Sequence, residues 1–270
     1  MSDTGHLFIF DCGSGARELG IHLMADGWPL ANAVNNKDVK GYILLSHTHW
    51  DHIQGFPFFT PVFKPGNHFN VIGWSNCSQT LATILAGQMQ QCYFPVSLDS
   101  LASDLTFYSL QHNPVIIDEA KLTGQLLKHP IPSTAYRLEI GGKSIVYATD
   151  HEPHKVPTQE AMHTGKLLGN DIIDQNLVEL AADADILIHD AQYSVEELGI
   201  KVGWGHNSSE VAVDTAIRAK VKTLVLYHHD PAHNDDAIDE LLEAGRQRAR
   251  FHGNNTLKVI AAHDGMILNL

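Results

Sequence analysis

The chain has 270 residues, enough for one large domain or two small ones, and 44% of them are hydrophobic. Thirty-one acidic against 18 basic residues give a net charge of −13, a field that repels a phosphate backbone and disfavours a general nucleic-acid binder. No apolar run approaches the ~20 residues that cross a bilayer, and Met1-Ser2-Asp3-Thr4-Gly5-His6 lacks the basic and apolar regions of a signal peptide, so a cytoplasmic protein without a membrane partner is expected.

Leu7-Phe8-Ile9-Phe10 reads as a strand ending in Asp11-Cys12-Gly13-Ser14-Gly15, followed by a helix around Ala16–Met24. Residues 32–40 are polar and read as a connection. Tyr42-Ile43-Leu44-Leu45 is a buried strand that feeds Ser46-His47-Thr48-His49-Trp50-Asp51-His52. The aromatic, Pro-broken stretch Ile53–Phe59 either walls a pocket or packs that motif from below. Val71-Ile72 is a short strand, and Leu81, Ile84, Leu85 and Met89 give helical spacing within a helix over residues 76–91. Strands are expected at residues 106–110, 115–117, 122–128, 135–140 and 144–148, with Gly141-Gly142 as a tight hairpin.

Residues 175–182 read as helix and Ile186-Leu187-Ile188 as a buried strand. Asn207 with Glu210 resembles a capped helix start. Thr223–Leu226 is a further buried strand. The last helix spans Asp235–Phe251, with acids at its start and Arg246, Arg248 and Arg250 at its end, as the helix dipole prefers. Strands at 257–260 and 266–268 close the chain. Strands and helices intermix throughout, so one α/β domain over residues 1–270 is expected. Cys12, Cys77 and Cys92 are odd in number and form no CxxC pair, which argues against a disulfide framework or a cysteine zinc site. Cys12 reads as a small core residue.

The chemistry concentrates in His47, His49, Asp51 and His52. Alternate residues of an extended segment point the same way, so His47 and His49 can face one point, and a helix starting at the turn swings Asp51 and His52 toward a second. Imidazole and carboxylate are normal zinc ligands, and two-metal hydrolytic sites hold their ions ~3.5–4 Å apart. Several other apolar strands also end in polar residues: Asp11, Asp150, His189-Asp190 and His228. In open sheets, ligand sites form beyond the carboxyl ends of strands. His129, Asp150 and His228 are therefore the candidates that complete two metal shells. His229 competes with His228, since neighbours on a strand point oppositely.

These segments resemble the metallo-β-lactamase superfamily, and within it the phosphodiesterase group of RNase Z and the cyclic ribosyl phosphate phosphodiesterase. Ser46–His52 is similar to that group's HxHxDH motif, His129-Pro130-Ile131-Pro132-Ser133-Thr134-Ala135-Tyr136-Arg137-Leu138 to its third-histidine segment, and Tyr147-Ala148-Thr149-Asp150 to its bridging aspartate. Gly205-His206-Asn207-Ser208 resembles a Gly-His-Ser that opens a helix, and Leu224–His228 the last ligand segment.

The resemblance implies a four-layer αββα sandwich. It implies one metal on His47, His49 and His129, a second on Asp51, His52 and His228, and Asp150 bridging both. Zinc is the first expectation, with manganese or iron accepting the same donors. The implied activity is a phosphodiesterase acting on a small or cyclic phosphodiester, with a metal-bridged hydroxide as nucleophile. In it His206 is the proton donor, and Asp51 also orients the nucleophile or accepts its proton.

The arm that grips tRNA in RNase Z has no room between His129 and Asp150, which argues against tRNA as substrate. Family members also begin with extra strands, whereas this chain starts almost at its first Asp-x-Gly strand. Asp190 is open to two roles, orienting His206 or structural. His151, His229 and Tyr193 lie beside ligand segments, and His154, His163 and His233 read as surface-loop residues. The alternatives are a thioester or lactone hydrolase on the same dinuclear centre and a non-catalytic metal-binding member. A homodimer is left open.

Overall fold

The computed structural model describes residues 7–25, 39–74, 80–110, 114–164 and 166–270. They fall into two compact units, Met1–His112 and Asn113–Leu270. Cys77, the polar connection before residue 39 and the expected helix start at 76–79 lie outside the described residues.

The first unit is built on a parallel four-stranded sheet, ordered β1 (Leu7–Phe10), β2 (Lys40–Leu45), β3 (His68–Gly73) and β4 (Asp104–Ser109). Parallel strands covered on both faces read as unbroken apolar runs, and Ile43, Leu44, Leu45 and Val71 are accordingly at most 1% exposed. Helices α1 (Gly15–Met24), α2 (Trp50–Ile53) and α3 (Leu81–Gln88) complete it. The Thr80 hydroxyl caps α3 by accepting from Thr83 N, so this helix starts later than the apolar spacing suggested. Residues 56–63 form two short 3₁₀ turns. Phe56 and Phe59 are fully buried in them, which makes this stretch packing beneath the histidine motif.

The second unit holds a seven-stranded mixed sheet in the order β11-β10-β9-β8-β7-β6-β5. These are β5 (Val115–Ile117), β6 (Ala120–Leu127), β7 (Ser133–Ile140), β8 (Lys143–Ala148), β9 (Ile186–Asp190), β10 (Thr223–Tyr227) and β11 (Lys258–Ala261). β5 to β8 run antiparallel, and β8 to β11 parallel. Gly141 and Gly142, at φ 56° and 75°, make the hairpin between β7 and β8.

Its helices are α4 (Gln159–His163), α5 (Gln175–Leu180), α6 (Val195–Ile200), α7 (Ser209–Arg218) and α8 (Asp235–Phe251). Leu177 of α5 and Ala212 and Ala216 of α7 pack with Val146, Leu187 and Leu224 of the sheet into one core. The cap of α7 is Ser208, whose hydroxyl accepts from Val211 N, one residue after the expected Asn207. Asn207 instead accepts from Ser208 N.

One other expectation is corrected: residues 266–268 are not a strand, and the sheet ends at β11. Arg248 stands in the last turn of α8 as expected, and it is also 5% exposed and pairs through both Nε and Nη2 with Asp214, at 2.7 Å each.

Candidate metal centre

In the first unit the histidine motif leaves β2, runs extended through His49 (φ −63°, ψ 155°) and turns into α2. This path brings the His47 ring 4.5 Å from that of His49 and 4.2 Å from that of His52. Asp51 Oδ2 stands 3.2 Å from His52 Nε2.

Behind them, Asp11 follows β1. Its Oδ2 lies 2.8 Å from His52 Nδ1, and it accepts from Ser46 N and Ser46 Oγ at 2.6 and 2.8 Å. The Ser46 hydroxyl is also 3.1 Å from His47 Nδ1. An imidazole that gives its Nδ1 proton to a carboxylate presents Nε2 as a ligand, and the carboxylate fixes the ring. Asp11 was legible as a strand-end acid; its grip on His52 was not. The loops lock because Cys12 N donates to His52 O and Gly55 N to Cys12 O, at 2.8 and 2.9 Å. A Cβ on Gly13 would fall 2.2 Å from Asp51 O, so only glycine fits there. Burial pushes the Cys12 thiol well up, helped by the Asp11 carboxylate, so this cysteine is an inert core residue.

In the second unit β8, β9 and β10 are in register, Ala148 against His189 and Tyr227 against Asp190. Asp150, Asp190 and His228 thus emerge along one edge, and β6, parallel to β8, delivers His129 there too. Asp150 is 1% exposed and its oxygens are divided: Oδ1 is 3.8 Å from His129 Nε2, and Oδ2 is 3.3 Å from His228 Nε2. Thr149 Oγ1 donates to Oδ2 at 2.7 Å. His228 faces this cluster, whereas His229 Nε2 turns to Ala262 O at 3.2 Å, which separates the two neighbours.

Asp190 is fully buried and receives four N–H groups. His206 Nδ1 and Asp150 N reach Oδ2 at 2.9 and 3.0 Å, and Asn207 N and Gln192 N reach Oδ1 at 2.9 and 3.3 Å. A carboxylate so saturated orients its donors and has little left to give a cation. His206 stacks on His228 at 5.1 Å and meets the edge of Tyr193 at 5.8 Å. Gln192 Nε2 lies 3.1 Å from His228 Nδ1.

His129 Nδ1 is 3.1 Å from Gly205 O, which leaves its Nε2 toward Asp150. Sequence reading also missed Glu152, whose Oε2 accepts from Gly203 N and Gly205 N at 2.6 and 3.1 Å while Oε1 takes Lys128 Nζ at 3.0 Å. It ties down the loop that carries both His206 and the carbonyl under His129. No local pattern marks it. His151 and His189 sit behind the edge, 2% and 0% exposed, and burial holds both below the usual histidine range. His163 ends α4 instead of lying in a loop, and His233, in the loop before α8 as expected, pairs through Nε2 with Glu197 at 2.9 Å.

These donors fit divalent metal ions. Ligands at ~2.0–2.1 Å in tetrahedral array stand ~3.3 Å apart. His52–Asp51 at 3.2 Å, His228–Asp150 at 3.3 Å and His129–Asp150 at 3.8 Å are close to that spacing. Asp150 and His228 also cluster with Asp190 and His206, each offering an atom within 4.8 Å of the others, although Asp190 there is taken up by its four N–H partners.

A family model described as the beta-lactamase superfamily domain matches residues 6–229. The ribonuclease Z of Prochlorococcus marinus subsp. pastoris is 23% identical over 266 residues, covering 86% of this chain and 81% of that protein. The metallo-beta-lactamase fold protein YhfI from Bacillus subtilis superposes with a TM-score of 0.62 at 19% identity, over 97% of this chain and 87% of its own. A diphosphatase from the PhnP family does so with a TM-score of 0.60 at 17% identity, over 97% and 79%. The expected metallo-β-lactamase fold is therefore the observed one, and the chain belongs to the beta-lactamase superfamily, with ribonuclease Z among the proteins it is similar to.

Proposed function

We propose that residues 1–270 work as one dinuclear phosphodiesterase domain whose substrate is a small or cyclic phosphodiester. By its family the chain is a metal-dependent hydrolase; the number of ions and the substrate are the proposal. The observation that carries it is the division of Asp150, one oxygen toward His129 and the other toward His228, as a carboxylate shared by two cations would be.

In this reading His47, His49 and His129 would hold one ion, Asp51, His52 and His228 the other, and Asp150 would serve both. Zinc is the first choice; manganese and iron accept the same nitrogen and oxygen donors. Two such ions supply a water whose pKa falls from ~15.7 toward ~7, and positive charge beside the phosphoryl oxygens. Asp51, 59% exposed at its side chain, orients the attacking water and accepts its proton. As the new P–O bond forms and the in-line P–O bond breaks, His206 passes a proton to the departing oxygen. Asp190, 2.9 Å from His206 Nδ1, keeps that ring aimed.

A small substrate is supported by the stretch from His129 to Asp150, which is taken up by the β7–β8 hairpin, and by the net charge of −13. The similarity to ribonuclease Z lends that choice no support and favours an RNA phosphodiester, so a tRNA precursor is the second reading. A cytoplasmic location, as monomer or homodimer, is part of the proposal; no described helix is long and apolar enough to cross a membrane.

The test combines elemental analysis with a substrate panel: bis-p-nitrophenyl phosphate, cyclic nucleotides, a tRNA precursor, a thioester and a lactone. Two ions per chain and chelator-sensitive turnover of the small diesters are expected. Cleavage of the precursor alone would establish the second reading. Turnover confined to the thioester or lactone, or full activity without metal, would overturn both.

A further inference from the structure

The end of α6 and the loop from it to His206 carry three exposed apolar side chains, Ile200, Val202 and Trp204, at 86%, 58% and 63% exposure. Exposed tryptophan costs contact with water, and this one is held firmly in place. Glu152 accepts from the amides on both sides of it, Gly203 N and Gly205 N. Gly205, at φ 92°, is pressed so close to His129 that a Cβ there would fall 2.0 Å from Nδ1. The loop is therefore fixed to a candidate ligand at one point and bears the candidate proton donor at the next.

A chain of contacts ties the Trp204 ring to His206. The Lys201 ammonium lies 6.0 Å from the Trp204 ring and 4.2 Å from that of Tyr193, and Tyr193 meets the His206 ring edge-on at 5.8 Å. Tyr193 is 1% exposed, so of these two rings only Trp204 offers an open face. Lys201 is neutralised by Asp230 at 2.7 Å, which leaves the patch without the free positive charge that an anionic membrane or a long phosphate backbone would need. What remains is an exposed aromatic face two positions along the chain from the group that would protonate a leaving oxygen.

We infer that Trp204 is the stacking platform for a nucleobase borne on the leaving-oxygen side of the substrate, so that the substrate is a nucleotide diester rather than a base-free one. The inference rests on the phosphodiesterase reading for which side of the substrate faces His206. Aromatic stacking on a base is sequence-tolerant, because every base has a π-face, and it strengthens binding by roughly tenfold. After hydrolysis of a cyclic nucleotide the base stays on the product, so the product nucleotide reports the same contact.

The experiment is calorimetric binding of adenosine 5′-monophosphate and of ribose 5-phosphate to the metal-loaded protein, the Trp204→Ala variant and the Trp204→Phe variant. The nucleotide is expected to bind about tenfold tighter than the sugar phosphate. Trp204→Ala should bring the two within about twofold, and Trp204→Phe should keep most of the gap. Trp204 is surface-exposed, so metal content and circular dichroism should match the parent in both variants. Equal affinity or no binding of either compound in the parent overturns the inference, as does a gap that persists in Trp204→Ala. A gap that depends on Trp204 in a protein that hydrolyses no phosphodiester supports the platform and removes the phosphodiesterase reading instead.

Discussion

Asp11 and His52 stand 41 positions apart in the chain and meet at 2.8 Å, carboxylate Oδ2 against imidazole Nδ1, in a pair 7% and 4% exposed. The contact determines which nitrogen of His52 is offered as a ligand. Partners of this kind typically hold ~10–100-fold of metal affinity. Asp11→Ala should lower affinity by that factor in a chelator competition, with the fold intact by circular dichroism. Undiminished affinity would show that His52 needs no such support.

The loop under His206 gives a second expectation. Glu152→Ala leaves the Gly203 and Gly205 amides without their acceptor, at a cost of ~1–3 kcal/mol. Lys128 is 44% exposed and adds little. The melting temperature should fall by several degrees, at ~2–4 °C per kcal/mol for a protein of this size. kcat for a chromogenic diester should fall more than KM rises, because His206 loses its placement. Gly205→Ala is more severe, since it drives a methyl into His129, and metal content should drop with activity.

Arg248 and Asp214 form a buried bidentate pair, joined by Leu168 N on Asp214 Oδ2 and by Met162 O on Arg248 Nη1. Removing one partner of such a pair strands the other and costs ~3–5 kcal/mol. Arg248→Ala should lose that much in urea unfolding and keep its metal. Arg248→Met should be milder if its volume fills the gap.

Asp185 yields a prediction in pH. Lys222 Nζ at 2.7 Å and Ser144 N at 2.9 Å hold its carboxyl below the usual carboxylate range, against the upward push of burial. A carboxyl depressed in the folded state stabilises the fold above its unfolded pKa of ~3.9, and that stability is lost as pH falls through the folded value. Lys222 is 70% exposed, so the contribution stays under about 1 kcal/mol. Urea midpoints from pH 6 to pH 3 should fall less steeply for Asp185→Asn than for the parent, with the difference confined to the acid end. Parallel curves would contradict it.

What the sequence disclosed follows one rule: a feature was legible when its cause was local. Leu44-Leu45 before Ser46, Ala148 before Asp150 and Leu226 before His228 mark strand ends because the apolar run gives way there to polar side chains. The helix Asp235–Phe251 is announced by the acids at its start and the arginines that close it, and its bounds are the observed ones. Arg248 was legible as a helix-terminal base, but nothing nearby discloses its partner Asp214, 34 residues away. Glu152 and Asp11 likewise act across the chain, through backbone amides and a ring that only the fold brings near. Ser208 took the cap from Asn207 because the bridge between Tyr193 and Ser208 fixes the chain one residue later.

Six described non-glycine residues have positive φ, and Asp11, Asp150 and His228 are three of them, at 59°, 53° and 63°. Each stands just past a strand, where the left-handed twist swings its side chain to the candidate centre at ~1–2 kcal/mol apiece. Glycine would relieve that cost at all three and erase the donors with it. Selection for heat tolerance alone would thus drift toward a sturdier molecule with no chemistry. At these bends the fold gives up stability and keeps its donors in place.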